Sequence, residues 1–301
     1  MKTSSLQEVE NYVNNPDVVF PSNKKNLSDI DLNQQEFTEV NFDGLDLINL
    51  NLKGRQFFRC SFKNVFFKNT DIEGSYFEDT DFESSIFDLV DYEEGSRFQI
   101  NVEEIENYKF SNLKNCRFYR CNLEISIFNG TKLEKVVFKD SNLKDCRFCC
   151  DIISGDFSGS NLENVNFDRC KVESSNFENA VLKNSYFSET HSRGNNFINS
   201  NFKNSQFYTC SFEYDNFKGS NLYGVFVEDT GFYLSNLENV NLENSTFDAR
   251  WLHEVNFKNA NFKNADIIGS NPKTTDFMWA DLTGTKFDRE DFESIYEERE
   301  S

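Results

Sequence analysis

The sequence lacks the segments on which membrane proteins and secreted disulfide proteins depend. No run approaches about 18 apolar residues, so no transmembrane helix is predicted. The N-terminus, MKTSSLQEVENYVNNPDVVF, has no continuous apolar segment behind a basic start, so no secretion signal is expected. Without such a signal, the eight Cys favour thiols in a reducing cytoplasm over a disulfide framework. The sequence therefore predicts a cytoplasmic protein with no membrane association.

Basic residues and His are also scarce. The 31 Lys and Arg stand against 51 Asp and Glu, which gives a formal net charge of −20. No basic patch occurs, so direct nucleic-acid binding is disfavoured. The two His, His191 and His253, lie far apart in sequence, and neither lies near a Cys or carboxylate cluster with metal-ligand spacing. We therefore predict a protein that is not an enzyme, without catalytic, metal-binding or cofactor-binding residues.

Phe, by contrast, is abundant and periodic. An apolar residue recurs at every fifth position, which we call the centre of a repeat, in stretches such as SNFKNSQFYTCSFEYDNFKGSNL. Three registers run from Leu32 to Tyr92, from Tyr108 to Ile153 and from Phe157 to Phe292. They contain 51 centres, of which 49 are apolar, and 28 of the 34 Phe are among them. Since 38% of residues are hydrophobic, chance would make only about 19 of the 51 centres apolar.

The position two before each centre is usually small, and the position one before is often Asn or Asp. This is neither a helical period nor a strand alternation. The small position is occupied at ten of the repeats by Cys60, Val65, Thr70, Ser75, Cys116, Ser126, Val165, Ala180, Ser205 and Ala260. The pattern resembles the pentapeptide-repeat family over about residues 30–292. That resemblance implies an all-β fold, a right-handed quadrilateral β-helix with four repeats per coil, in which each centre stacks on the fourth centre after it.

Breaks in the pattern suggest the organisation of the chain. We expect a helical N-terminal cap at 1–26, because Leu6, Val9, Tyr12 and Val13 share one helical face. Further along we expect a first β-helix segment at 27–92, an irregular loop or distorted coil at 93–107, a second segment at 108–292 and an acidic tail at 293–301. The second segment has an expected kink near 153–157, with Cys149 and Cys150 pointing outward just before it. The C-terminal end is either a short cap or the interface of a homodimer, as in some family members.

Most of the acidity lies in one stretch. Residues 71–106 hold 13 acidic side chains, and Arg97 is the only basic one. In the implied coil the acids that follow successive centres ring the solenoid as a collar made of Glu73, Glu78, Glu83, Asp88 and Glu93. The collar is either a solvated feature that aids solubility or a docking site for a basic partner.

One column of centres is irregular. It contains both failed centres, Ser192 and Pro272, and its repeats read THSRG, TGFYL, RWLHE and SNPKT. These repeats place five candidate partner-binding residues along one side, namely His191, Arg193, Tyr233, Trp251 and His253. Trp and Tyr together with Arg are typical of binding hot spots, although long arrays also tolerate degenerate repeats without function.

These features predict a non-catalytic protein-interaction solenoid. Some family members resemble B-DNA and bind type II topoisomerases, so the most specific candidate is DNA mimicry with DNA gyrase as partner, giving inhibition or drug protection. B-DNA of about 60 Å would carry about 35 charges, however, and this chain has a net charge of −20. The alternative is a scaffold or secreted effector that binds another protein through the collar or the irregular column.

Overall fold

The computed structural model describes residues 32–68, 70–87, 111–248, 251–268 and 275–287. Within these ranges the chain forms short parallel strands joined by turns, and no helix that could span a membrane occurs there. The chain divides into two compact units, 1–151 and 152–301. The expectations for the cap at 1–26, the segment 93–107 and the tail 293–301 concern residues outside the described ranges, as do those for Asp88, Glu93 and Pro272.

The described residues of the first unit form nine strands. In order they are β1 Glu36–Thr38, β2 Asp46–Ile48, β3 Gln56–Phe58, β4 Phe66–Lys68, β5 Tyr76–Glu78, β6 Ile86–Phe87, β7 Arg117–Tyr119, β8 Leu133–Glu134 and β9 Arg147–Phe148. Strands β1, β3, β5 and β7 form one parallel sheet, and β2, β4 and β6 form another. Alternate strands pair because the intervening strand lies on a different side of the coil.

The described residues of the second unit form thirteen strands, the first of which starts at the boundary of the unit. They are β10 Asp151–Ile153, β11 Asn166–Asp168, β12 Lys171–Glu173, β13 Tyr186–Ser188, β14 His191–Arg193, β15 Gln206–Tyr208, β16 Ser211–Glu213, β17 Phe226–Glu228, β18 Gly231–Tyr233, β19 Thr246–Asp248, β20 Trp251–His253, β21 Asp266–Ile268 and β22 Lys286–Phe287. The even-numbered strands β10 to β20 form one sheet, and the odd-numbered strands β11 to β21 form a second, which β22 extends. Each residue pairs with the equivalent residue four repeats later, as Phe187 does with Phe207. The predicted quadrilateral β-helix is confirmed.

One repeat, Ser175 to Asn179, shows why five residues turn a corner. Ser175 and Phe177 are buried, and Asn176 Oδ1 accepts a hydrogen bond from the Glu178 N–H at 3.2 Å. Asn179 then takes a left-handed conformation with φ of 59°, which Asn tolerates better than most residues. Small inward residues also bond the core backbone, as when the Ser200 hydroxyl donates to the Phe177 carbonyl at 2.7 Å. Each of the five positions of the repeat therefore has its own role. In order, they hold a small buried residue, an amide that bonds the backbone of the turn, a large buried apolar residue, a polar residue and a left-handed turn residue.

The buried centres stack as rings from coil to coil. In the first unit Phe42 and Phe62 lie 4.4 Å apart with an interplanar angle of 2°. In the second unit Phe157 and Phe177 lie 4.7 Å apart at 5°. Such offset stacks add about 0.5–1.5 kcal/mol to the free energy of simple burial. The predicted ladder of Phe and Leu is thus the core of each unit.

A long insertion interrupts the repeat in the first unit without interrupting this stack. Gln56 pairs with Tyr76, as the regular register requires, but Tyr76 pairs with Arg117, which lies much further along the chain. The next residues, Phe77 and Phe118, stack with their ring centres 4.9 Å apart. The additional residues, which fall outside the described ranges, therefore do not separate the coils on either side of them.

The short repeat lies earlier than the sequence predicts. Ile152 is the buried centre, and Ile153 is only partly buried. The repeat with four residues instead of five therefore lies between Phe148 and Ile152. With this shift, Cys150 falls two positions before a centre and occupies the small inward position. Cys149 and Cys150 are 8% and 7% exposed, so the expectation that both point outward is wrong.

Candidate protein-binding face

The irregular column forms one continuous face of the second unit. We define the irregular face as the outward side chains of β12, β14, β16, β18 and β20 and of the corner residues that follow them. The register aligns His191, Ser211, Gly231 and Trp251 in one row and Arg193, Glu213, Tyr233 and His253 in the other. All five predicted residues of this column therefore lie on one face, and the strands β14 to β20 span about 14 Å.

The strand pattern determines which side chains point outward. The middle residues of β14, β16 and β18, which are Ser192, Phe212 and Phe232, are buried in the core. Because successive side chains of a strand point to opposite sides, the residues before and after each middle residue must point to solvent. The face thus takes its composition from positions that the core does not constrain.

Three large exposed side chains, which we call the exposed patch, lie on three consecutive coils of this face. Tyr214, Leu234 and Trp251 are 53%, 39% and 47% exposed. Sequence reasoning included Trp251 and missed Tyr214 and Leu234, which occupy the corners after β16 and β18. These corners are left-handed, with φ of 57° and 51°, a region that disfavours bulky side chains. A large exposed residue at such a corner costs stability, and this unusual placement was the signal available in the sequence.

Tyr233 lies at the centre of the face, over a glycine. A Cβ atom on Gly231 would lie 2.5 Å from Tyr233 Cε2, so the ring occupies the space that a side chain would fill. Burial, followed by the charge of Glu213, raises the pKa of the Tyr233 hydroxyl above its usual value. Glycine at this position therefore lets the aromatic ring lie flat against the sheet.

Polar and charged side chains border the exposed patch at two places. Arg193 Nη1 lies 3.4 Å from Glu213 Oε2, and the Arg193 guanidinium carbon lies 5.3 Å from the centre of the Tyr214 ring. At the other end, His253 Nε2 lies 3.6 Å from Glu254 Oε1. An apolar centre with a polar rim is the usual arrangement of a protein-binding surface.

The collar residues of the first unit are arranged differently, because basic side chains of adjacent coils pair with them. Lys53 Nζ lies 2.8 Å from Glu73, and this interaction is the main reason why the pKa of Glu73 is lowered. Tyr76 donates a hydrogen bond to Glu78 at 2.8 Å, and Arg120 also pairs with Glu78.

A third collar acid is paired in the same way. Lys63 Nζ lies 3.0 Å from Glu83 and 2.8 Å from Asp81. The basic residues that pair with the collar lie outside residues 71–106 in the sequence, and the fold places them next to the collar acids. The described part of the collar is less free to attract a basic partner than its sequence suggests.

Groups suited to catalysis or metal binding are few in the described ranges. No cluster of three or more His, Cys, Asp or Glu residues there is placed to hold a metal ion. His191 and His253 lie on the same face but on strands three coils apart, about 14 Å along the stack. Two imidazoles at that separation do not act on one proton or one ion.

Comparisons with known proteins match these features. A family model described as Pentapeptide repeat region matches residues 106–177 and 160–232, and one described as Pentapeptide repeats (8 copies) matches residues 26–64. Together they cover more than half of the 301 residues. No curated protein matches the sequence significantly.

Several solved structures of such repeats are similar to this chain. HetL, a protein involved in heterocyst differentiation regulation from the cyanobacterium Nostoc sp. strain PCC 7120, is 14% identical with a TM-score of 0.37, over 84% of this chain and 89% of HetL. QnrB1, a plasmid-mediated fluoroquinolone resistance protein, is 16% identical with a TM-score of 0.27, over 88% of this chain and 98% of QnrB1. A protein of the Arabidopsis thaliana thylakoid lumen is 21% identical with a TM-score of 0.21, over 38% and 63% of the two chains.

Proposed function

Because the chain belongs to the pentapeptide-repeat family, we propose that it acts without catalysis, by binding a partner protein across the irregular face of its second unit. The observation that carries this proposal is the exposed patch of Tyr214, Leu234 and Trp251, two members of which occupy left-handed corners. Backbone strain of this kind persists only where the surrounding structure holds it, and it is concentrated at functional sites.

The composition of the face supports the same function. Trp, Tyr and Arg are the residues most enriched in binding hot spots, and Trp251, Tyr233 and Arg193 supply one of each. Tyr233 is already held against Gly231, so little side-chain entropy would be lost when it is covered. The face therefore combines large contact area with preorganised geometry.

The test is site-specific photo-cross-linking. A photoreactive phenylalanine analogue replaces Tyr214 in one sample and Tyr223, on another side of the same unit, in a matched control. We expect a discrete cross-linked protein from position 214 in cells and none from position 223. The same products from both positions, or none from position 214, would contradict the proposal.

A second candidate, DNA mimicry with gyrase as partner, is favoured by a different side of the second unit. On this side, which is formed by the odd-numbered strands β11 to β21 and by β22, the described outward residues and corners include two bases and six acids. The bases are Arg169 and Lys286, and the acids are Asp168, Glu189, Glu228, Asp229, Asp248 and Asp266. B-DNA carries about one charge per 1.7 Å, or roughly 17 over the ~29 Å that six coil spacings occupy. The described residues of this side have a net charge of −4, which is several-fold smaller, so we rank this candidate second.

A supercoiling assay with purified gyrase separates the two candidates. Gyrase mimicry predicts salt-sensitive inhibition of supercoiling, or relief from a quinolone, and reversal of Glu228 and Asp248 to Lys should abolish the effect. Substitutions on the irregular face should then leave the assay unchanged. An absence of both inhibition and drug relief at low and moderate salt would remove this candidate.

A cytoplasmic location is part of the proposal. All eight Cys are buried thiols, most of them in the small inward positions where Cys acts as a small apolar residue. Such a core is compatible with a reducing compartment and has no need of disulfides. Fractionation of cells that produce the protein at native levels checks this location, and recovery in the culture medium would favour the secreted-effector alternative.

A further inference from the structure

A polar ladder runs through the core directly behind the irregular face. Its members are the small-position residues of successive coils, and each side-chain oxygen accepts a hydrogen bond from the backbone N–H one coil earlier. The bonds join Ser175 Oγ to the Gly155 N–H at 3.0 Å, Asn195 Oδ1 to the Ser175 N–H at 2.7 Å, Asp215 Oδ1 to the Asn195 N–H at 2.6 Å and Ser235 Oγ to the Asp215 N–H at 3.2 Å. Asn195 and Asp215 are larger than the Ser residues on either side of them.

These two enlarged residues accompany the failed centre at Ser192. Asn195 Nδ2 donates hydrogen bonds to Ser192 Oγ at 2.8 Å and to the Val172 carbonyl at 2.9 Å. Where the column loses a large apolar centre, the adjacent ladder therefore gains two polar side chains that fill the space. The failed centre is one part of a bonded cluster formed by Ser192, Asn195 and Asp215, and it is not an isolated irregularity.

Asp215 is the ionisable member of this cluster. Its side chain is 1% exposed, and Oδ2 has no hydrogen-bond partner. Burial raises the pKa of Asp215 to about 7, against the opposing effects of the Asn195 N–H and of the Ser192 and Asn195 side chains. A buried carboxylate with one unsatisfied oxygen is costly, so the core favours the neutral acid.

The charged groups around Asp215 reinforce this preference. Glu213, on β16, raises the pKa of Asp215 further, and Arg193 on β14 is turned outward, where it pairs with Glu213 at 3.4 Å. His191 on β14 and Tyr233 on β18 also lie on the outward side of the sheet. No cation therefore faces the buried carboxyl from the strands packed around it in the described structure.

We propose that Asp215, with Ser192 and Asn195, is a proton-binding site in the core whose ionisation loosens β14 and β16 beneath the irregular face. The protonated cluster holds these coils closed, and loss of the proton leaves a charge in the core that local opening would hydrate. The order of the strands that carry the face would then depend on pH in the range below about pH 7. This inference does not require any particular partner.

The direction of the pH effect follows from proton linkage. The carboxyl pKa is raised on folding, from 3.8 to about 7, so the folded state holds one more proton than the open state in between. Its stabilising contribution is complete below about pH 4, is lost as pH rises towards about 7, and changes little above that. The equilibrium constant for local opening should therefore rise by up to about tenfold per pH unit in this window.

Native-state hydrogen exchange of the full chain tests the proposal, with rates corrected for intrinsic exchange at each pH. Amides of residues 190–216 should show the rise in opening between about pH 4 and 7, and Asp215→Asn should remove it. The matched control is Asp276→Asn, which removes one charge from an exposed position that is occupied by Asn256 one coil earlier. The same pH slope in wild type and Asp215→Asn would overturn the proposal.

A direct titration of Asp215 in the wild-type protein tests the proposal even if the Asp215→Asn variant does not fold. Carboxyl carbon NMR of the wild-type protein should show Asp215 titrating near pH 7, well above the ordinary value of an Asp carboxyl. Titration near the ordinary value of an Asp would overturn the proposal without any substitution. Neither measurement involves a binding partner, so both can be interpreted even if the protein does not bind a partner through the irregular face.

Discussion

Two sides of the second unit share one backbone architecture and differ in what they present to solvent. On one side, which we call the Asn-ladder face, amides bond from coil to coil, as from Asn196 to Asn176 at 3.1 Å and from Asn256 to Asn236 at 3.1 Å. Each oxygen also accepts a bond from a backbone N–H two positions later, as Asn216 does from Lys218. On the irregular face the corresponding positions hold His191, Ser211, Gly231 and Trp251.

The comparison shows that the solenoid does not need its outward side chains to keep its register. The hydrogen bonds between coils are formed by the backbone on both faces, as from the His191 N–H to the Cys170 carbonyl and from the Asn196 N–H to the Ser175 carbonyl, each at 2.9 Å. The core beneath the two faces is also alike, apart from the polar cluster of Ser192, Asn195 and Asp215. The outward residues can therefore vary without loss of the fold. The outward residues of the irregular face that differ most from the regular repeat are its large ones.

The largest effect should come from the core and should be the same beneath both faces. Phe217, below the Asn-ladder face, stacks on Phe197 at 4.7 Å, and Phe212, below the irregular face, stacks on Phe232 at 5.0 Å. Substitution of either Phe by Ala should reduce the free energy of unfolding by about 3–5 kcal/mol, because each leaves a cavity in a close-packed stack. Denaturant unfolding followed by circular dichroism measures both. A much smaller loss for Phe212 would mean that the irregular face rests on a weaker core.

The second effect should separate the faces. Tyr233→Ala and Trp251→Ala should each weaken binding of the partner cross-linked at position 214 by about 2 kcal/mol, or roughly 30-fold, as expected for hot-spot residues. Trp251→Ala should change the free energy of unfolding by no more than about 0.5 kcal/mol, since that side chain is exposed, whereas Tyr233→Ala also removes the packing of the ring against Gly231. Isothermal titration with the purified partner measures the binding. Lys218→Ala, on the Asn-ladder face, is the control, and an equal loss from it would contradict the assignment of the site.

The third effect has opposite signs for stability and binding. Leu234 has a φ of 51°, a conformation in which Asn occurs at many other corners of this chain, including Asn239 and Asn259. Leu234→Asn should therefore stabilise the protein by about 1 kcal/mol and weaken partner binding. Thermal unfolding and the same binding titration provide the two readings. Leu234→Asn variants that bind unchanged would show that the strained corner has no role in recognition.

Much of this architecture could be predicted from the sequence, since a repeat of five with stacked columns of Phe and Leu has few physical solutions. The position of the short repeat could not, because Ile152 and Ile153 are adjacent and either can be a centre. That ambiguity misplaced the shift and turned Cys149 and Cys150 outward in the prediction. Only packing decides which of the two Ile side chains is buried.

The candidate site was predictable in part. The failed centre at Ser192 directed attention to the side of the unit on which we propose the site, because an exception stands out in an array whose other centres are nearly all apolar. Tyr214 and Leu234 were missed because the prediction considered the centres and the positions next to them. A large residue at a corner that Asn occupies in many other repeats was the available signal, and the backbone angles then show its strain. The ion pairs of the collar follow from the four-repeat register, as for Lys53 and Glu73, but counting charge along the chain separates the two partners.

The smallest effect should come from the regular side and should leave binding untouched. Asn216 Oδ1 accepts hydrogen bonds from the Lys218 N–H and from Asn236 Nδ2, both at 3.2 Å. Asn216→Ala removes both, and since water can partly replace them at this half-buried position, we expect a loss of about 0.5–1 kcal/mol. Thermal unfolding checks this value, and titration with the partner should give the wild-type affinity. Ser211, on the irregular face, makes no such ladder bond to Gly231, so Ser211→Ala should reduce the free energy of unfolding by less than Asn216→Ala does. The reverse order would contradict the view that the two faces differ by the stabilising amide ladder.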